Sequence, residues 1–510
     1  MASQSCTSVR RTIPKLSDTA LTRKGESRLK QALSLGRGRL RMDEGEAAVA
    51  LRVVYVGVAA YAALFVCAAV IHYAVFETAR FDLSNMVQPV WNTLHGHFLE
   101  MTTIDGQQRD RLGFHADPLL LLLVPVFRIW SNPLLLPVLQ ALAVSSGALP
   151  VFWLARKHMQ SSRAGAHFAF AYLLYPATQF NAFTITSSFH AVSIAVPLVL
   201  YAIWFLDEDR LIAFSAVALL ACTTKEEIPL AVGCLGIWYA IRRGRRLFGF
   251  GVFAVGLCIT LFNFLWLIPH FSQSGTEPFA HRYTAVGGTP QGIAHKLFTD
   301  PAAFVHVVVS GHKAGYVALL FLPFLGLSLL EPLLLLGALP DLAINLLSNL
   351  GDQTSINFHW TAGIVPFVVA ASIFGAARFK RQGVRLSLWV LAGAASVAIY
   401  SPIYLASRDF RMLDSRLVAT KARALSLIPK DVPVSASNQL GGHLANRRYT
   451  YWFPYVRGSR WILVDVNDPT YGPATGFKRF IKKYETDTRW RTIFSSRGIT
   501  VLKKRSTGGT

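Results

Sequence analysis

Apolar runs such as Val53–Val70, Ala164–Tyr175, Val192–Phe205, Leu247–Ile268 and Tyr316–Leu330 recur between residues 47 and 404. A helix of about 20 apolar residues crosses the ~30 Å hydrocarbon layer of a bilayer, and several of these runs approach that length. The chain has 510 residues, of which 52% are hydrophobic and only 15% charged, with a mean hydropathy of +0.38. That balance excludes a disordered chain, a coiled coil and an ordinary cytosolic enzyme. The runs therefore predict an α-helical polytopic membrane protein.

The formal charge of +23 is unusual for so apolar a chain, and its distribution decides what it means. Residues 1–46 carry ten Lys or Arg against five Asp or Glu, residues 405–510 carry twenty against seven, and the middle is nearly balanced at 21 against 16. Charge at the ends of a hydrophobic middle is the mark of spans oriented by basic flanks rather than of a nucleic-acid binder. Residues 1–46 read as a basic cytoplasmic tail. Val53–Val70 is too long for a signal-peptide core and has no convincing cleavage site, so it reads as an uncleaved anchor. The cysteines, Cys6, Cys67, Cys222, Cys234 and Cys258, are mostly within apolar runs and imply buried small side chains rather than disulfides.

Basic clusters mark cytoplasmic ends. Beyond the tail they stand at Arg156-Lys157-His158, at Arg242–Arg246 and at Arg378-Phe379-Lys380-Arg381. A path that puts all of them inside has about eleven helices, roughly 48–76, 133–155, 164–181, 190–206, 211–224, 227–241, 247–270, 314–330, 332–348, 360–378 and 384–404, with the N-terminus in and the C-terminus out. The transmembrane domain is then 47–404, with external loops 77–132 and 271–313. Within those loops Pro118–Trp130 and Ala302–Val309 are too short to span and read as re-entrant or interfacial helices. Residues 405–510 read as a small extracytoplasmic α/β domain. Its strands are expected at Val432–Ala436 and Trp461–Val466, its helices at Asn438–Ala445 and Phe477–Tyr484, and a closing hairpin at Arg491–Phe494 with Ile499–Leu502. Its positive charge faces anionic headgroups or a polyanionic acceptor, not nucleic acid.

Charged groups at membrane depth are expensive and mark functional candidates. Asp82 follows the first span directly, where its carboxylate serves either as a general base on an incoming hydroxyl or as the N-cap of a helix over 83–94. In Gly113-Phe114-His115-Ala116-Asp117-Pro118, Asp117 is again cap-like, and His115 adds a titratable or metal-binding nitrogen. One His and one Asp two residues apart are a weak metal signal; three converging ligands are needed. Thr223-Thr224-Lys225-Glu226-Glu227 interrupts two short apolar runs. Either Lys225 simply pairs with a neighbouring carboxylate, or it faces a cavity and binds a phosphate that a Glu such as Glu226 orients. His190, Asp341, Asn345, Asn357 and His359 collect on the same outer side, each either a satisfied polar group or a ligand.

These residues resemble the GT-C superfamily of membrane glycosyltransferases, and more closely an uncharacterised bacterial membrane-protein family assigned to it. The resemblance is carried by Phe81-Asp82-Leu83 with Gln88 and Trp91-Asn92-Thr93, by His115 with Pro118, by Thr224-Lys225-Glu226, by Leu339-Pro340-Asp341 with Asn345, and by Asn357-Phe358-His359. It covers most of 50–470. It implies sugar transfer from a polyprenyl-phosphate carrier to a cell-envelope acceptor on the outer face of a bacterial cytoplasmic membrane, with Asp82 in the position of the base or acceptor-orienting group. Lys225 and His115 are then the groups that meet the departing phosphate. Many members have paired acidic residues in that loop. Asp82 has no acidic neighbour, which favours a mechanism without a metal or other cofactor. Two other classes fit a broken, charged membrane chain: a transporter or flippase for a lipid-linked substrate, and a non-catalytic scaffold whose external domain binds envelope polymers.

Overall fold

In hydrocarbon every backbone N–H and C=O needs a partner within the chain, so the apolar runs have one way to fold, as helices. The computed structural model describes residues 19–184, 189–272, 279–309, 311–379, 382–472 and 474–505, with side chains from Gly45 onward. The side chains of the basic tail, and Cys6, Lys380 and Arg381, lie outside the described residues. Cys67 and Cys258 are exposed on the outer faces of their helices, and of the other two only Cys234 is buried, so burial does not account for all of them.

Four helices among the described residues are long and apolar enough to cross a membrane: Gly45–Ala74, Leu135–Met159, Arg246–Phe271 and Gly383–Met412. A pair bent by 70°, Pro301–Val309 with Lys313–Phe324, makes a fifth if it counts as one span. Five further apolar helices are shorter, namely Leu119–Ile129, Ala191–Asp207, Leu211–Cys222, Pro332–Leu347 and Val365–Ala376. This division differs from eleven full spans for a physical reason. Pro176 starts a new helix, Pro176–Ala182, where Ser162–Leu174 ends. Pro323 and the left-handed residues Leu325 and Gly326 break the run after Lys313–Phe321 into short turns. Such breaks survive at membrane depth only when neighbouring protein covers them, and Phe324 and Leu327 are buried in the bundle core. The first helix runs without interruption from Thr19 to Ala74, so residues 19–46 continue into the first span as one rod.

Helices Ile228–Arg243 and Arg246–Phe262 meet backbone to backbone. A Cβ on Gly236 would stand 2.2 Å from the Gly249 carbonyl oxygen, one on Gly249 2.4 Å from that of Gly236, and one on Gly256 2.3 Å from that of Pro229. With no hydrophobic drive between helices in lipid, small residues of this kind supply close contact instead. At one end of the bundle, basic clusters gather around two buried carboxylates. Asp207 meets Lys157 at 2.7 Å, His158 at 2.9 Å and Arg243 at 3.1 Å. Glu331 meets both Arg242 and Arg378.

At the other end, residues 77–134 form a cap and residues 416–505 a second layer. The cap contains helix Asn85–Leu94, an antiparallel hairpin of β1 (Glu100–Thr102) and β2 (Gln108–Asp110), and helix Leu119–Ile129, over its own core of Leu83, Val87, Leu99, Leu120 and Phe127. The second layer is a five-stranded sheet of β3 (Val434–Ala436), β4 (Thr450–Trp452), β5 (Trp461–Asp465), β6 (Trp490–Ser496) and β7 (Ile499–Lys504), in the order β4-β3-β5-β7-β6. β3 runs parallel to β4 and β5, and β7 antiparallel to β5 and β6. Helix Arg416–Ser426 and Phe76 cover one face, and helix Ala474–Glu485 covers the other through Phe477 and Ile481.

The sheet is latched to the cap by buried donors. Arg80 is wholly buried and its guanidinium donates to the carbonyl oxygens of Thr102 (2.5 Å) and Thr450 (2.7 Å). The Gln88 amide donates to the Arg447 and Arg448 carbonyls at 3.0 and 2.7 Å and accepts from the Thr102 N–H at 2.9 Å. Phe81 N–H donates to Asn438 Oδ1 at 2.9 Å. Gly249→Leu, which drives a side chain into a backbone carbonyl, is expected to lower thermal stability in detergent by about 1–3 kcal/mol or more. Gly251→Leu, where a Cβ meets open space, is expected to leave the melting temperature unchanged.

Candidate functional site

Between the cap and the bundle lies a cavity of about 880 Å³. Its wall includes seven of the ten residues that the sequence singles out: Asp82, His115, Asp117, His190, Lys225, Glu226 and His359; Asn357 is half-buried and is not among the wall residues described. Asp341 and Asn345 are buried behind that wall. Asn345 donates to the Tyr316 hydroxyl and the Trp360 carbonyl, and Asp341 is taken up by the Glu227 carboxyl and the Gly363 backbone.

Asp82 sits in a single π-helical turn, Arg80–Ser84, whose N-cap position is Ala79; neither this turn nor helix Asn85–Leu94 is capped by a side chain. The capping role open to Asp82 in the sequence is therefore not taken, and the residue is on the cavity wall. Asp117 is likewise no cap, since helix Leu119–Ile129 has Pro118 at its N-cap. Its carboxylate is gripped by the Arg111 guanidinium at 2.9 and 2.7 Å, and both side chains are almost fully buried.

The Thr-Lys-Glu turn joins helices Leu211–Cys222 and Ile228–Arg243, and the Thr223 carbonyl accepts from the Leu119 N–H at 2.9 Å, which fixes it against the cap. Lys225 Nζ stands 2.5 Å from Glu227 Oε1. Glu226 Oε1 meets His115 Nδ1 at 2.9 Å and its Oε2 accepts from the Ala116 N–H at 3.0 Å. Burial alone would push the Glu226 carboxyl up, but His115 and Lys225 outweigh it and hold the group below the usual carboxylate range. Burial would lower Lys225, yet Glu227, Glu226 and Asp341 together keep its ammonium charged. The His190 and His359 rings stack with centroids 3.4 Å apart. Burial, then His190 and the cations nearby, drive His359 well below the usual imidazole range, so that ring is neutral.

The remaining wall divides in two. Arg109, Arg111, Arg282 and Asp105 add further polar groups to the wall. Leu261, Phe264, Leu265, Ile344 and Leu347 make an apolar flank, and Leu261 and Leu265 also turn to the exterior of helix Arg246–Phe271. Among the described residues, no group of three His, Cys, Asp or Glu stands close enough to hold a metal ion. Sequence reasoning missed Arg111, Arg282 and the hairpin that brings Asp105 to the wall. The hairpin had a signal, the Asp105-Gly106 dipeptide at the turn, where Gly106 adopts φ +76°. Arg111 had none stronger than its spacing of six from Asp117.

A family model described as "Predicted membrane protein (DUF2079)" matches residues 72–475. The chain belongs to this family. The DUF2079 match spans every residue named on the cavity wall. No protein of curated function matches the sequence. Solved structures similar to it include ArnT from Cupriavidus metallidurans in the apo state, at 12% identity and a TM-score of 0.48, with 87% of this chain and 98% of that one covered. ArnT from the same organism bound to undecaprenyl phosphate gives 12%, 0.48, 88% and 99%. The Archaeoglobus fulgidus oligosaccharyltransferase in complex with Zn and sulfate gives 13%, 0.42, 86% and 73%.

Two outcomes follow from the ion pairs. Arg111→Ala strands a buried carboxylate and is expected to cost about 3–5 kcal/mol in detergent unfolding, most of it recovered when Asp117→Leu is added. Because the Glu226 carboxyl is held below its ordinary value, its stabilisation is complete above a pH of about 4.3 and fades as pH falls through the lower folded value. Melting temperatures followed from pH 7 to 3 are therefore expected to drop less steeply on the acid limb for Glu226→Gln than for the natural chain.

Proposed function

We propose that this protein is a membrane glycosyltransferase that moves a sugar from a polyprenyl-phosphate carrier to a cell-envelope acceptor, at the outer face of a bacterial cytoplasmic membrane. The observation that carries this reading is the cavity's division into an ionic half and an apolar half that shares helix Arg246–Phe271 with the exterior. A lipid phosphate sugar has the same division: its isoprenoid tail suits the apolar flank and bilayer, and its phosphate and sugar suit the ionic half.

In this reading the acceptor hydroxyl oxygen bonds to the anomeric carbon while the bond from that carbon to the phosphate oxygen breaks. Asp82 takes the hydroxyl proton, and the polyprenyl phosphate leaves with the bonding pair. Lys225 keeps N–H groups beyond its Glu227 contact, and together with His115 it meets the charge that develops on the departing phosphate. Arg111, tied to Asp117, shapes this wall. The stacked, neutral His359 and His190 offer ring nitrogens to sugar hydroxyls, while Asp341 and Asn345 support the wall from behind. The reaction so written needs no metal and no cofactor, and turnover is expected to survive EDTA. The basic end of the bundle, with the N-terminal tail, faces the cytoplasm, and the cap and C-terminal sheet face outward.

The test is transfer from radiolabelled polyprenyl-phosphate sugars by protein in proteoliposomes. Asp82→Asn is expected to lower kcat at least 100-fold with donor binding little changed. Transfer at the natural rate by that variant would remove Asp82 from the chemistry. Lipid flipping without any sugar transfer would replace the whole reading with a transporter.

A further inference from the structure

A second cavity, of about 740 Å³, opens at the opposite, basic end of the bundle, where five helices converge. Glu46 of the first helix, Trp153, Arg156 and Lys157 at the end of helix Ala148–Met159, Trp204 and Glu208 at the end of helix Ala195–Asp207, and Val384 form its wall, with Ser161 and Ser162 at the N-cap and first position of helix Ser162–Leu174. None of these residues touches the cavity under the cap or enters the proposed reaction.

The charges on this wall are already matched, with one exception. Lys157 is held by Asp207 at 2.7 Å and by Glu208 at 2.6 Å, and Glu46 is held by Arg163 at 2.8 Å. Arg156 has no ion-pair partner among the described residues, so one guanidinium remains to compensate an anion. Ser161 and Ser162 bring hydroxyl donors to the same rim. Below them Trp153 and Trp204 pack ring on ring, with centroids 4.4 Å apart. Indole rings with one wet and one apolar side belong at the bilayer interface. Val384, at the start of a helix with a largely exposed apolar surface, extends that floor toward lipid.

A bidentate cation, hydroxyl donors and an aromatic floor at interfacial depth are the recognition chemistry of a phosphate group attached to something apolar. We propose that this cavity is a second ligand site, which binds the phosphate of an anionic lipid headgroup from the leaflet at the basic end, with Arg156 as its principal contact. The site rests only on the chain being a membrane protein and stands or falls separately from sugar transfer.

The test uses the full chain in detergent. Retention of dioleoyl phosphatidylglycerol is measured by native mass spectrometry, against dioleoyl phosphatidylcholine and against competition by inorganic phosphate. The expected result is selective retention of phosphatidylglycerol, weakened about tenfold or more in Arg156→Ala and less so in Arg156→Lys, with unchanged melting temperatures. Competition by millimolar phosphate would keep Arg156 as a phosphate contact and move the ligand's source to solution. Equal retention of the two lipids, or equal phosphatidylglycerol retention by Arg156→Ala and the natural chain, would overturn the proposal.

Discussion

A charge taken out of water must find an opposite charge close at hand, and this requirement organises both ends of the molecule. At the basic end, Asp207 and Glu331 are each buried and each collect cations from different helices, so the clusters at 156–158, 242–243 and 378 are drawn to common anchors. At the other end the pairs are tighter and more isolated: Arg111 with Asp117, Lys225 with Glu227, His115 with Glu226, and His72 with Asp409 at 2.7 Å. The last joins the end of the first helix to helix Ile403–Met412, which leads into the C-terminal layer. Helix ends are thereby fixed against one another, and the cavity between them has walls that need no ligand to hold their shape.

The second organising element is the latch between the cap and the sheet. Helix Asn85–Leu94 carries Asp82's turn at its start and Gln88 in its middle, so the contacts that hold the sheet also fix the turn that presents Asp82. Although the C-terminal layer contributes no residue to the cavity wall among the described residues, it determines where the candidate base stands. Loss of the sheet would free the cap from Arg80 and Gln88 and let the carboxylate move.

Much of this was legible in the sequence because it is local. Hydropathy marked the helices, and clustered Lys and Arg marked one end. The positions of Asp82, His115, Lys225, His190 and His359 at the ends of apolar runs put them near one depth, and the fold gathers them in one cavity. Asp341 and Asn345 share that depth, but helix Leu339–Leu347 turns them inward to Glu227, Tyr316 and Trp360. Depth along a span is readable from hydropathy, whereas rotation about the helix axis depends on partners elsewhere. Span number was less legible, because Pro176 and Pro323 read as part of apolar runs while the covered backbone around them turns. Gln88 and Phe81 entered the sequence reading as members of a pattern; their work is to bind residues more than 350 positions away, which no local pattern contains.

The latch has one more property. Arg80 and Gln88 direct their donors to the main-chain carbonyls of Thr102, Arg447, Arg448 and Thr450. A carbonyl oxygen is supplied by any residue, so these contacts do not themselves depend on the acceptors' side chains, although Thr102 Oγ1 also accepts from the Gln88 amide at 3.0 Å. Two parts of the chain this far apart are therefore joined mainly by side-chain donors on one partner and backbone carbonyls on the other, with the contact from Phe81 N–H to Asn438 Oδ1 running the opposite way. Along 447–450 these donors read the path of the backbone rather than the choice of side chain.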